Sequence, residues 1–330
     1  MAVTLLDIAK RLNVSKMTVS RVLNNKQNDF ITETTRQRVR ETARMLGYTP
    51  NRAAQALVTG RTGRIAFLSP SMGSRFFQEV AYCFHQVLQI DKYEMITGEI
   101  GPQTVDPNHI VGLPLMDLDG VLMYGSALGE LNQVLGSYLP FKSPIVNMGP
   151  HASNKFDAVN VDLYPASRQA VELLLNSGRR RIVHLHAPET RNDLDDRFRG
   201  YTDVLGEHGI TPEYIQTPDW TRISVRKTIL NHVKEHGCPD GLFCANDDIA
   251  IGAYRGLRDL GIRIPDQARL IGCDGIEDTE YMDPPISTIV QPVRDMCVTA
   301  WTFLKNRLEN PNRPRQVETK QATLVIREER

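Results

Sequence analysis

The sequence has no apolar run close to the roughly 20 residues that a membrane-spanning helix requires, and its start lacks the cationic and apolar regions of an export signal. We therefore expect a cytoplasmic protein that does not contact the membrane. Its five cysteines form no Cys-x-x-Cys pair, which predicts reduced thiols and no metal site. The motifs Gly-x-x-x-x-Gly-Lys, Gly-x-Ser-x-Gly and Gly-x-Gly-x-x-Gly are also missing, so we expect no enzyme and no cofactor.

Positive charge is concentrated near the N terminus, although the net charge of the whole chain is zero. Residues 1–64 contain twelve Lys and Arg against four Asp and Glu, a net charge of +8, whereas the rest of the chain carries −8. A basic head on a larger acidic body indicates that the head meets a polyanion. Basic segments also contact membranes or serve only solubility, so charge alone leaves these alternatives open.

Two short helices joined by a tight turn are predicted in this basic head. Thr4 begins a helix over residues 5–11, and Ser15 begins a second helix over residues 16–23. The second helix buries Val19, Val22 and Leu23, and its outward face consists of Lys16, Met17, Thr18, Ser20 and Arg21. Cations and hydroxyls on one face suit phosphates and base edges, and Arg21 can donate two hydrogen bonds to guanine. The pattern therefore predicts a helix-turn-helix that reads the major groove of DNA.

A third helix is predicted from Thr32 to Leu46, followed by a linker. The stretches TLLDIAKRLNVSKMTVSRVLN and LGYTPNRAAQAL closely resemble the head and hinge of the LacI/GalR family of bacterial transcription regulators. In that family the hinge becomes helical only on operator DNA, and a leucine opens the minor groove; the resemblance assigns this role to Leu57. An ordinary buried leucine in a linker helix is the alternative. The resemblance implies further DNA contacts at Thr4, Ser15, Asn24, Tyr48, Asn51, Arg52 and Gln55.

The rest of the chain alternates short apolar runs with helical patterns, which is typical of parallel α/β sheets. The runs lie at residues 64–70, 119–125, 144–149, 181–188, 240–247 and 269–274. The resemblance implies a periplasmic-binding-protein-like body of two subdomains joined by three crossovers, with an effector held between them. We expect the helix-turn-helix domain at 1–49, the hinge at 50–63 and the body at 64–330, with 64–162 plus 291–330 in one subdomain and 163–290 in the other.

Polar and aromatic residues at the strand ends form the predicted effector site, because ligands bind beyond the carboxyl ends of parallel strands. Checked against the family pattern, they are Phe76, Phe77, Arg191, Arg197, Trp220, Asn246, Asp247, Asp274 and Gln291. Such a set suits a sugar or a sugar acid. Singly, Trp220 could be a partly buried core residue and each arginine a surface charge. His184 and His186 lack further ligands at metal-site spacing, so we expect them to line the cleft or pack.

Together these patterns predict a homodimeric repressor of a carbohydrate or sugar-acid operon, with a tetramer left open, that binds a near-palindromic operator and a small-molecule effector. A regulator co-repressed by a nucleobase or another metabolite is the alternative within this class. An exported solute-binding protein and a sugar-processing enzyme are alternatives of other classes. The segment 101–118 departs from the family, because its prolines and glycine would interrupt the helix that relatives carry there.

Overall fold

Two units make up the chain, Met1–Thr62 and Gly63–Arg330. The structure is a computed structural model that describes residues 3–23, 30–49, 56, 60–99, 118–125, 143–150, 155–188 and 195–327. Nearly all of the unusual segment 101–118 lies outside the described residues. No helix in the described ranges is long and apolar enough to cross a membrane.

Short helices with side-chain caps form the first unit. The helices are α1 (Leu5–Leu12), α2 (Lys16–Leu23) and α3 (Glu33–Met45). Thr4 and Asp7 form a capping box at the start of α1, and Asn13 ends this helix in the left-handed region with φ of 52°. The hydroxyl of Ser15 accepts from the Thr18 amide at 3.0 Å and so caps α2. The predicted helix starts at Thr4 and Ser15 are therefore confirmed.

A small apolar core holds these helices together. It contains the buried side chains Ile8, Ala9, Val19, Val22, Val39 and Ala43. Because Val19 and Val22 are fully buried, the opposite face of α2 is turned to solvent.

Two six-stranded sheets form the second unit, and among the described strands only the second sheet has an antiparallel one, at one edge. The first sheet has the order β11-β5-β4-β3-β1-β2, with β1 Arg64–Ser69, β2 Glu94–Glu99, β3 Gly120–Tyr124, β4 Ile145–Gly149, β5 Asp157–Asp162 and β11 Val317–Gln321. All of its described pairings are parallel. The second sheet has the order β12-β10-β9-β8-β6-β7, with β6 Ile182–His186, β7 Glu213–Gln216, β8 Gly241–Cys244, β9 Arg269–Asp274, β10 Ser287–Val290 and β12 Thr323–Val325. Here only the β10–β12 pair is antiparallel.

Helices cover the sheets and bury their apolar faces. They are α4 (Arg75–Ile90), α5 (Tyr164–Asn176), α6 (Asp196–Glu207), α7 (Arg222–His236), α8 (Asp247–Asp259) and α9 (Val293–Glu309). Helices α4 and α9 pack on each other beside the first sheet, whereas α5 pairs with α6 and α7 with α8 beside the second. This arrangement brings the starts of α4, α6 and α8 to the carboxyl ends of the strands.

Three chain crossings join the two sheets, as the family resemblance implies. The chain crosses between the sheets after β5, after β10, and between β11 and β12. The predicted placement of 291–330 in the first subdomain is wrong for β12, which pairs with β10 in the second sheet. A three-residue strand carries too little sequence pattern to show which sheet it joins. The other boundaries of the domains stay predictions.

Candidate functional site

The exposed face of α2 carries the side chains predicted to read DNA. Lys16, Met17 and Arg21 are exposed, and the Met17 side chain is 61% accessible. Thr18 and Ser20 are half-buried on the same helix. An apolar residue so exposed at the start of a helix is suited to contact a thymine methyl group.

Several predicted DNA contacts also stabilise the head itself. The Thr4 hydroxyl donates to the Asp7 carboxylate at 2.7 Å, and the hydroxyls of Ser15 and Thr18 hydrogen-bond at 2.9 Å. Tyr48 packs against the apolar core of the head. The predicted contacts outside the described residues are Asn24, Asn51, Arg52, Gln55 and Leu57.

A hydrogen-bonded chain connects the two sheets of the body. The hydroxyl of Tyr124, at the end of β3, donates to Gln291 Oε1 at 2.6 Å. Gln291 lies in the crossing after β10, and its Nε2 donates to Asp274 Oδ1, at the end of β9, at 2.8 Å. The predicted residues Gln291 and Asp274 are thus brought together. Tyr124 was missed, although its position at the end of an apolar strand is the same signal that identified the others.

Aromatic rings form one wall beside this chain. Phe76, Phe77 and Tyr124 pack edge to face, with each pair of ring centroids 5.3 Å apart. Phe76 is buried, whereas Phe77 is only partly buried. Burial raises the pKa of Tyr124 well above its ordinary value, so its hydroxyl stays a hydrogen-bond donor.

An ion pair at the start of α6 forms another wall. Arg197 donates from Nε to Asp195 Oδ1 at 3.0 Å and from Nη2 to Asp195 Oδ2 at 2.6 Å. Its Nη1 donates to the carbonyl of Ala245, which follows β8, at 2.6 Å. Asp195 was missed by sequence analysis, although an acid before a helix is a common N-cap. These described partners occupy three of the five guanidinium N–H groups, so the fork retains hydrogen-bonding capacity.

Asp274 occupies a low-dielectric position with a strained backbone. Burial raises its pKa well above 3.8, the charge of Asp247 raises it further, and the charge of Arg197 opposes this shift. Its φ of 121° is rare for a residue with a side chain. Strained residues of this kind concentrate at ligand-binding sites.

Asn246 and Asp247 lie at the start of α8 and have positioning roles in this structure. The Oδ1 atom of Asn246 accepts from the Ile249 amide at 2.8 Å and caps the helix. Asp247 is fully buried and accepts from the amides of Gly275 and Ile276 and from the Thr288 hydroxyl, at 2.7, 2.9 and 2.6 Å. The structure therefore turns Asp247 into the sheet, away from the predicted effector group.

Close packing explains why Asp247 reaches so far inward. A Cβ atom on Gly272 would lie only 2.0 Å from Asp247 Oδ1, so this strand position requires glycine. The buried carboxylate then fixes the segment that follows Asp274.

The remaining predicted residues lie around the site or outside the described chain. Trp220 is half-buried and packs against the core, and Arg191 is not among the described residues. His184 and His186 are fully buried on β6 with stacked rings, and burial lowers the pKa of His184 to about 3. The described residues contain no group of three or more His, Cys, Asp or Glu side chains that could hold a metal ion.

Polar contacts bridge the two subdomains next to the aromatic wall. At the start of α4, the Ser74 hydroxyl donates to Asp248 at 3.2 Å and Arg75 lies 3.4 Å from Asp278. Arg222 joins the two acids of the second subdomain, at 2.7 Å from Asp248 and 3.0 Å from Asp278. Any movement of one subdomain relative to the other would have to rearrange these contacts.

Comparisons with known proteins agree with this architecture. Residues 4–51 match the family described as bacterial regulatory proteins, lacI family, and residues 171–328 match the periplasmic binding protein-like domain. The chain is 28% identical to catabolite control protein A of Priestia megaterium over 312 residues, 92% of each protein. It is also 28% identical to the ribose operon repressor of Haemophilus influenzae over 329 residues, 98% of each. The lac repressor dimer bound to operator and an anti-inducer has a similar fold, with a TM-score of 0.82 and 22% identity over 99% of this chain and 98% of that one.

A helix-turn-helix head joined to a two-sheet body with convergent polar side chains defines a DNA-binding transcription regulator controlled by a small molecule. The chain carries a lacI-family regulatory domain at residues 4–51 and a periplasmic binding protein-like domain at residues 171–328, as its sequence predicts. Its relatives of known activity named above are transcription regulators and not enzymes.

Proposed function

We propose that this protein is a dimeric repressor of a sugar-utilisation operon, and that a neutral sugar bound between the two subdomains controls its affinity for a near-palindromic operator. The observation that carries the proposal is the convergence of Tyr124, Gln291 and Asp274 from both sheets on one hydrogen-bonded chain. A relative that this chain matches over 98% of both proteins is a ribose operon repressor. Proteins of the same fold, 21–23% identical to this chain, have been solved with cellobiose, ribose or lactose.

The charges at the site favour a neutral sugar over a sugar acid. The positive charge of Arg197 is already compensated by Asp195 at 2.6 Å. Asp274 adds a further acid to the same region and lies within the electrostatic range of Arg197. A carboxylate on the effector would find no uncompensated positive charge at this position, whereas sugar hydroxyls can hydrogen-bond to Asp274 and accept from the guanidinium. The exposed part of Phe77 offers an apolar surface for the sugar ring.

A thermal-shift screen tests the effector assignment. Neutral pentoses, hexoses and disaccharides are compared with their corresponding aldonic acids, with sugar phosphates and with nucleobases. We expect a neutral sugar to raise the unfolding temperature, since a ligand at a hundred times its Kd stabilises the native state by about 2.7 kcal/mol. The variant Asp274→Asn should lose most of this shift. A larger shift with the aldonic acid than with its neutral sugar would contradict the assignment.

A nucleobase is a second candidate effector, supported by the aromatic wall. The ring centroids of Phe76, Phe77 and Tyr124 are 5.3 Å apart in each pair, and a planar base can stack on such rings. The two candidates differ in the screen, where only one compound class shifts the unfolding temperature. They also differ in direction, because an inducing sugar weakens operator binding whereas a co-repressing base strengthens it.

The role of α2 is tested by comparing Arg21→Ala with Arg11→Ala. Both substitutions remove one exposed positive charge from the head, but only Arg21 lies on the predicted reading face. Binding to a site selected from random DNA and to non-specific DNA is measured over a range of salt concentrations. We expect Arg21→Ala to lose discrimination, at about 1–3 kcal/mol for a lost base contact, and Arg11→Ala to keep it. Equal loss of specific and non-specific affinity in Arg21→Ala would refute base reading by this residue.

A further inference from the structure

Tyr124 reaches from the first sheet to a pair of residues that lie at the second. Gln291 and Asp274 are joined twice, because the Gln291 backbone N–H donates to the Asp274 carbonyl at 3.4 Å and Gln291 Nε2 donates to Asp274 Oδ1 at 2.8 Å. The Tyr124 hydroxyl, at the end of β3, donates to Gln291 Oε1 at 2.6 Å. We propose that Tyr124 is a positioning residue that fixes the orientation of the Gln291 side-chain amide, so that Gln291 and Asp274 bind one sugar hydroxyl as a donor and an acceptor. This inference rests on the sugar-binding function proposed above.

Packing holds the Tyr124 ring in the place that this contact requires. Phe76 and Phe77 meet the ring edge to face, each with its centroid 5.3 Å from that of Tyr124. Gly149, at the end of the neighbouring strand β4, has a φ of 112°, and a Cβ atom on it would lie only 3.0 Å from Tyr124 Cε1. The tyrosine ring therefore fits because position 149 has no side chain. These contacts limit the movement of the ring and keep its hydroxyl at Gln291 Oε1.

The direction of the hydrogen bonds decides what the pair can offer to a ligand. Because Tyr124 donates, Gln291 Oε1 is the acceptor and Nε2 is turned towards Asp274. Nε2 carries two N–H groups, and one of them donates to Asp274 Oδ1. The second N–H and the other carboxylate oxygen suit a hydroxyl, which can accept from the first and donate to the second. An amide turned the other way would place Oε1 against Asp274 Oδ1, two acceptors together, and would remove the donor.

A double-mutant cycle on the protein without ligand tests this hydrogen-bonded chain. Tyr124→Phe keeps the ring and removes the hydroxyl, whereas Asp274→Asn introduces an amide that can bond to Gln291 in either orientation. The two losses should therefore overlap, and the unfolding equilibrium constant of the double variant should differ about tenfold from the product of the single effects. Tyr201→Phe is the matched control, because its buried hydroxyl donates to carbonyls on β6 and at the start of β7. Its effect should combine independently with that of Asp274→Asn. Independent effects of Tyr124→Phe and Asp274→Asn would overturn the proposal.

Calorimetric titration with the sugar found in the thermal-shift screen tests the consequence for recognition. Tyr124→Phe should bind this sugar about five to ten times more weakly, as expected for one lost hydrogen bond, and Tyr201→Phe should bind it as the parent does. Monodeoxy analogues of the sugar then locate the effect. For the analogue that lacks the hydroxyl bound by Gln291 and Asp274, Tyr124→Phe and the parent should have equal affinity. Unchanged sugar affinity in Tyr124→Phe, or the same loss for every analogue, would overturn the proposal.

The two kinds of failure can be told apart. A parent that binds no sugar in the screen refutes the proposed function, and with it the binding of a sugar hydroxyl by Gln291 and Asp274. A parent that binds a sugar, combined with unchanged affinity in Tyr124→Phe, leaves the proposed function intact and refutes only the positioning role of Tyr124.

Discussion

Replacing Arg197 with alanine removes a bidentate ion pair from a nearly buried position. The side chains of Arg197 and Asp195 are each only 11% exposed, and their closest atoms are 2.6 Å apart. The substitution leaves the Asp195 carboxylate buried without its counter-charge, and breaking a buried pair in this way costs about 3–5 kcal/mol of unfolding free energy. We therefore expect Arg197→Ala to destabilise the body as well as to weaken effector binding.

The loss of unfolding free energy in Arg197→Ala should depend on pH in a defined direction. Burial raises the pKa of Asp195, but the charge and hydrogen bonds of Arg197 outweigh this effect and leave the pKa below 3.8. The pair therefore stabilises the parent above that ordinary value, and this contribution is lost as the pH falls through the pKa of the folded state. In Arg197→Ala the charge of the guanidinium is lost, and the helix-capping hydrogen bonds from the backbone amides of residues 197 and 198 still oppose burial. The pKa of Asp195 should therefore rise above that of the parent, so the deficit in unfolding free energy should be largest at neutral pH and shrink in acid.

Urea unfolding followed by circular dichroism measures the effect, with two further variants as controls. Arg263→Ala breaks an exposed pair with Asp266 at 3.2 Å, which should cost no more than about 1 kcal/mol. The double variant Arg197→Ala with Asp195→Asn should recover much of the stability, since asparagine still caps α6 and carries no charge. An Arg197→Ala variant that is as stable as Arg263→Ala would refute the reasoning.

Two further predictions concern the bridge between the subdomains and the buried acid. Arg75→Ala removes a contact of 3.4 Å to Asp278 and should weaken sugar binding by up to about fivefold at low salt and less at high salt. Calorimetric titration measures the affinity, and Arg255→Ala, which removes an ion pair within α8, is the control. Equal losses of sugar affinity in the two variants would contradict a role for the bridge. Burial raises the pKa of Asp247 from 3.8 to about 7, so the parent should lose stability as the pH rises through this window. Asp247→Asn should show a smaller loss of stability with rising pH, measured as the unfolding temperature over this pH range. If the unfolding temperatures of variant and parent fall in parallel, another group causes the pH dependence.

Strands with strong apolar patterns could be predicted from the sequence, whereas polar strands could not. The six predicted runs correspond to β1, β3, β4, β6, β8 and β9, which lie inside the two sheets and are mostly buried. The strands β2, β7, β11 and β12 lie at or near sheet edges, where one side is solvated and polar residues are tolerated. The strands β5 and β10 are buried but contain Asp, Asn, Ser and Thr, which weaken the apolar signal.

Positions in the effector site were easier to predict than the contacts that each side chain makes. The rule that ligands bind at strand ends, together with the family resemblance, identifies Asp274 and Gln291, and the structure joins them at 2.8 Å. The pairing of Arg197 with Asp195 and the inward orientation of Asp247 depend on local geometry and on partners distant in sequence. Asp247 at the start of α8, for example, accepts a hydrogen bond from Thr288 on β10, which lies 41 residues further along the chain. No spacing pattern in a single sequence reveals such contacts.

Operator binding measured by fluorescence anisotropy, with and without the sugar found in the thermal-shift screen, tests the central claim most directly. In the parent, the sugar should change operator affinity by about 5–150-fold, the usual range of coupling between two sites. In Asp274→Asn, operator affinity without sugar should equal that of the parent, and the response to sugar should be lost, because the acid lies in the body at the end of β9 and not in the head. An unchanged sugar response in Asp274→Asn, or a parent whose operator affinity no sugar from the screen alters, would contradict the account.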